Sequence, residues 1–112
     1  MHTHLYSDEY IPDSLAKYEL GVMLANGLTT VRLLIGAPHH LQLKADVMRG
    51  AVLGPQLWLA SPQFTGRKTE NARVVTTPEE ARAAVREVAA AGYDFLKLTE
   101  AISPPVYDAI AD

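Results

Sequence analysis

A chain of 112 residues is one domain at most, and its 48% hydrophobic and 21% charged content excludes a disordered tract or a coiled coil while supporting a buried core. The formal charge of −3 arises from acids and bases interspersed along the chain, so the basic footprint of a nucleic-acid binder is missing and no nucleic-acid partner is expected. Without cysteine, any metal site must be built from nitrogen and oxygen donors. No apolar run approaches the roughly 18 residues of a membrane span, and no basic-then-apolar leader opens the chain, so no membrane partner is expected and the expected compartment is the cytoplasm.

Met1 to Leu5 reads as a short strand, in which the alternation His2, Thr3, His4 sets two imidazoles on one face. Asp13 is placed to cap a helix over DSLAKYELGVMLANG, where Leu15, Leu20, Met23 and Leu24 recur at helical spacing and Gly27 ends the run. TTVRLLIG, Thr29 to Gly36, is a glycine-bounded aliphatic run and predicts a buried strand. PHHLQLKADVMRG predicts a second helix with Leu41, Ala45 and Met48 on its apolar side. After the Gly54-Pro55 turn, Gln56 to Ser61 predicts a third strand, with Trp58 expected in the core and Ser61 in a turn at the strand end.

The polar stretch from Pro62 to Thr76 is expected to be a long loop without secondary structure. Thr77, Pro78 and Glu80 then form the start signal of a third helix: an N-cap, a proline at the first helical position and the acidic partner of a capping box. Ala81, Ala84, Val85 and Val88 give its apolar stripe, and Gly92 its end. YDFLKLTE predicts a fourth strand, and Ser103-Pro104 a final helix. Strand and helix thus alternate four times, which requires right-handed crossovers and a parallel sheet covered by helices.

Two features carry chemistry. His2 and His4, two apart on a strand, can grip one divalent ion. Lys97 shares a strand face with Phe95 and Thr99, while Leu96 and Leu98 share the other. A lysine in an apolar strand needs a partner, such as Glu100, or a function, and a neutral lysine amine can add CO2 to become an anionic carbamate ligand.

MHTHL, ANGLTTVRLLIGAP, RGAVLGPQLWLASP and TPEEARAAVREVAAAGYDFLKL, taken together and in this order, resemble the metal-dependent amidohydrolase superfamily, in the branch related to imidazolonepropionases and prolidase-like enzymes. The resemblance spans nearly the whole chain. It implies an α/β fold, the (β/α)4 half of a TIM-type barrel, as a single domain over residues 1–112. It implies metal ligands at His2 and His4, a carboxylated and metal-bridging Lys97, a divalent ion, zinc by expectation, and hydrolysis of amide or cyclic-amide C–N bonds in a small-molecule or peptide-like substrate.

His40 matches a histidine of a GxPxHLxLR stretch in relatives and is a candidate substrate contact, against the expectation of a surface pair with His39 at the helix start. Arg32 is a second candidate for substrate, expected to project inward with Thr30 and Leu34 and to pair structurally with a carboxylate such as Glu100. The chain departs from the family pattern in three places. No aspartate precedes the HxH, SPQFTGRKTEN lacks the glycine-rich loop with its histidine, and the two later histidines and the aspartate of strands five, six and eight are not in the sequence. An incomplete and inactive catalytic centre is therefore expected of this chain alone, as is the alternative of a half-barrel whose exposed edges pair two copies into a homodimer.

Overall fold

The elements follow in the order β1 (His2–Thr3), α1 (Asp13–Ala25), β2 (Thr30–Leu33), α2 (Pro38–Met48), β3 (Gln56–Thr65), β4 (Ala72–Val74), α3 (Pro78–Ala91), β5 (Phe95–Leu98) and α4 (Pro104–Ala111), so the expected alternation holds except where β4 follows β3 directly. The computed structural model describes residues 2–5, 13–69 and 72–112. The start of the first strand at Met1, and the side chains of His2 and Leu15, lie outside the described residues. The chain divides into two compact units, Met1–Leu59 and Ala60–Asp112.

In the first unit β1, β2 and the opening residues of β3 pair in parallel. Thr30 stands beside Gln56, Val31 beside Leu57, Arg32 beside Trp58 and Leu33 beside Leu59. Because successive strand residues face opposite ways, this register sorts the sheet into two faces. Val31, Leu33, Leu57 and Leu59 are all buried, while Thr30, Arg32, Gln56 and Trp58 are all exposed. Trp58, expected in the core, is therefore on the open face at 43% exposure, with the Lys44 Nζ 5.9 Å from the centre of its ring. A cation at that distance over an exposed indole contributes about 0.5–1 kcal/mol.

Helix α1 ends where expected. Gly27 takes the left-handed conformation (φ 82°), and the Leu28 N–H closes on the Met23 carbonyl at 3.0 Å. Helix α2 presents a different side from the one expected. His40 and Leu43 are buried, whereas Met48 is 75% exposed and Ala45 also faces solvent. The buried His40 serves as an internal cap: the Ala37 N–H donates to His40 Nδ1 at 3.1 Å.

In the second unit, the expected loop from Pro62 to Thr76 is a correction. β3 runs on to Thr65, and β4 pairs with it in parallel through Gln63–Ala72, Phe64–Arg73 and Thr65–Val74. Pro62 and Gly66 punctuate this stretch and mask strand-forming residues whose partners lie further along the chain, on β4 and β5. β5 pairs with the same part of β3. The core consists of Phe64, Val75, Ala81, Ala84, Val88, Val106, Ala109 and Ile110, with Val85, Tyr93, Leu96, Leu98 and Ile102 packed on it. The stripe expected on α3 is the one buried.

The N-terminus of α3 is capped as its sequence requires. The Glu80 N–H donates to the Thr77 hydroxyl at 3.2 Å, and the Glu80 carboxylate accepts from the Thr76 N–H, the Thr76 hydroxyl and the Thr77 N–H. These bonds, led by that from the Thr76 backbone, hold the Glu80 carboxyl below its ordinary value of 4.5. A carboxyl more acidic in the folded chain than in the unfolded one stabilises at pH above its unfolded value, and that contribution is lost as the pH falls through the folded value. Glu80→Gln is expected to lower the melting temperature at neutral pH, with the difference from the parent vanishing on acidification below the ordinary carboxyl value. Thermal melts across that pH range check this.

Candidate functional site

Parallel strands of an α/β fold present their functional side chains at their carboxyl ends; of the residues singled out in the sequence, His2, Arg32 and Lys97 fall on such strands, His4 follows β1 directly and His40 lies in α2. In the first unit, His2 stands in register with Arg32, and Arg32 with Trp58, so three neighbouring strands place these residues in one row. The Leu34 N–H continues the β1–β2 ladder to the Thr3 carbonyl at 3.3 Å, which brings the His4 end of β1 alongside β2. His4 is half-buried. Arg32 shares the exposed face of β2 with Thr30 and stands beside Trp58 of β3.

The fate of Glu100 differs from expectation. Its carboxylate pairs with the Arg67 guanidinium, and both side chains are more than half exposed. This is a surface ion pair of small worth, at most about 1 kcal/mol, rather than a buried pair with Arg32. His40 is 1% exposed, so the expected surface pair of histidines applies to His39 alone. The two rings meet edge to face with centroids 4.3 Å apart.

In the second unit Lys97 sits on β5 with intermediate burial. Leu96 and Leu98 pack on the apolar core and Phe95 and Lys97 do not belong to that cluster, so the face assignment read from alternation holds. The Lys97 N–H donates to the Ser61 hydroxyl at 3.1 Å. Ser61 is fully buried within β3 and is no turn residue. Beyond Lys97, the strand end is tied to β3 by the Thr99 N–H and hydroxyl on the Phe64 carbonyl, and by the Thr65 hydroxyl and the Gly66 N–H on the Glu100 carbonyl.

Among the described residues, no three His, Cys, Asp or Glu side chains gather where an ion could be held. Imidazole donors suit a borderline divalent ion such as zinc, but the described part of the chain does not close such a site. Trp58 is the group sequence reading misplaced. Its signal was the alternation Gln56-Leu57-Trp58-Leu59, which sets the indole with the polar glutamine.

No family profile matches the chain, and no curated protein is significantly similar to it. Solved structures do match. A prolidase-like protein from Bifidobacterium longum is 29% identical with a TM-score of 0.74 over 88% of this chain. A bottromycin amidohydrolase is 23% identical with a TM-score of 0.76 over 85%. A prolidase complexed with N-methylphosphonate-L-proline is 25% identical with a TM-score of 0.65 over 94%. The chain spans only 25%, 22% and 34% of the length of these three structures. With its parallel strands and intervening helices, the chain carries part of the amidohydrolase-superfamily fold.

Proposed function

We propose that this chain is the portion of a metal-dependent hydrolase of amide or cyclic-amide C–N bonds that supplies its first metal-facing groups, His2 of β1, His4 just after that strand, and Lys97 of β5. The observation that supports this reading is the likeness, across 88–94% of the chain at 25–29% identity, to prolidase and amidohydrolase structures. The donor chemistry agrees: two imidazoles two residues apart, and an amine on the side of its strand away from the core leucines. A divalent ion, when bound, supplies Lewis acidity toward a substrate carbonyl. The chain's own residues hold and orient. Arg32 and Trp58, in register with His2 and exposed, offer a guanidinium to a carboxylate and an indole face to the apolar part of a small peptide-like substrate. Lys97, as the free amine, can add CO2 with formation of one N–C bond and release of one proton, which turns it into an anionic oxygen donor.

Zinc titration by calorimetry tests the ligands. The parent chain is expected to bind zinc, and His2→Ala and His4→Ala each to weaken that binding by about 100-fold, at least the loss seen when groups supporting a metal ligand are removed. Equal affinity in parent and both variants overturns the reading.

A further inference from the structure

We propose that Ser61 is a positioning residue for Lys97, and that it acts through a bulge in β3 that decides which face of the sheet the lysine occupies. The pairing of β3 with β5 shifts between Ala60, which stands beside Phe95, and Gln63, which stands beside Lys97. Two residues, Ser61 and Pro62, therefore oppose the single residue Leu96. That count is the signature of a β-bulge, a device that redirects side chains and is enriched beside functional sites.

The bulge carries a defect that Ser61 repairs. Pro62 has no N–H to give to a ladder, and the strand bends where the pairing is irregular. The Ser61 hydroxyl accepts from the Lys97 N–H at 3.1 Å and donates to the Pro62 carbonyl at 2.8 Å. A side-chain oxygen thus takes the place of a main-chain acceptor at the residue whose amine is the chemically distinctive group of β5. Ser61 is 0% exposed, so water does not substitute for it.

The consequence is a choice of face. Strand side chains alternate with a period of two, so a one-residue slip of β5 against β3 exchanges its two faces. Leu96 and Leu98 now pack on the apolar core. After a slip, Phe95 and Lys97 would take their place, with an amine turned into the Phe64–Val88 cluster. The hydroxyl bond to Lys97 is made on the far side of the bulge from the Ala60–Phe95 pair, where it holds the shifted register.

The functional meaning of this clamp rests on the proposed role of Lys97, but its test does not. The clamp is read by amide exchange of the 112-residue chain followed residue by residue, and by the rate at which the Lys97 amine is acylated relative to the exposed Lys68. Ser61→Ala is expected to speed exchange of the Lys97 amide about tenfold, the factor matching one hydrogen bond of ordinary net worth. Val75 and Val88 amides should be unchanged and the Lys97-to-Lys68 acylation ratio shifted.

Ser61→Thr, which keeps the hydroxyl, should restore both. Ser61→Cys, close in size but a weak acceptor, should fall between parent and alanine, and it serves as the comparison with threonine if the alanine variant does not fold. Unchanged exchange and acylation at Lys97 in the cysteine or alanine variant would overturn the proposal. So would acceleration spread evenly over the second unit with no rescue by threonine. Neither result depends on zinc, so a failed clamp and a failed metal site are told apart.

Discussion

Phe64→Ala is expected to lower the stability of the second unit by about 3–5 kcal/mol, a large share of the 5–15 kcal/mol typical of a small domain. Phe64 is 0% exposed and is the largest side chain of a cluster otherwise built from alanine, valine and isoleucine. Small neighbours on two helices have little reach to collapse into the space left by a phenyl ring, so most of the cavity would persist. The main-chain role of Phe64 is untouched by the change, because its carbonyl still accepts from the Thr99 N–H and hydroxyl. The loss therefore reports the side chain alone. Urea denaturation followed by circular dichroism measures it, with Tyr107→Ala as the comparison. Tyr107 is 54% exposed on α4, and its loss should stay within about 0.5 kcal/mol. A midpoint for Phe64→Ala close to that of Tyr107→Ala would show that the core is not organised around this ring.

The parts of the fold that could be read in the sequence are those whose chemistry is local. Thr77, Pro78, Glu80 and Gly92 mark both ends of α3 because caps and left-handed glycines act within a few residues, and the structure places each in that role. The alternation of Leu96 and Leu98 with Phe95 and Lys97 identified the core face of β5 for the same reason. What escaped depends on partners far away in sequence. β4 is three residues long and is a strand only because β3 lies alongside it.

His40, expected at the surface with His39, is buried, and the bond it accepts from the Ala37 amide is one that no periodicity encodes. Trp58 follows its alternation with Leu57 and Leu59, which sets it on the exposed face with Gln56, and not the burial usual for its residue type. In the candidate site, the placement of His2 and Lys97 on strands was legible, whereas the Ser61 bond to Lys97 was not. That bond joins residues 36 apart across an irregular register.

Gly66→Ala is expected to cost about 3 kcal/mol, the upper end of what forcing extra atoms into a packed site exacts, and to loosen the strand end that carries Lys97. A Cβ on Gly66 would fall on the main-chain carbonyl oxygen of Ala101. No rotamer change relieves a clash with backbone, so the chain after β5 must move. That segment has little slack. The Gly66 N–H is bound to the Glu100 carbonyl at 3.2 Å, the Thr65 hydroxyl reaches the same carbonyl at 3.1 Å, and the Arg67 guanidinium holds the Glu100 carboxylate.

Ala101 itself is already strained, with a φ of 61° that only glycine adopts freely. The two positions therefore respond in opposite directions to a change of one methyl group. Ala101→Gly relieves about 1–2 kcal/mol of left-handed strain and spends about 0.5–1 kcal/mol on the greater freedom of the unfolded chain, for a net gain of about 0.5–1 kcal/mol. Denaturation midpoints should place Ala101→Gly above the parent and Gly66→Ala well below it, with faster amide exchange at Thr99 in the latter. A Gly66→Ala variant as stable as the parent would mean that the close approach of these two loops is not a feature of the folded chain.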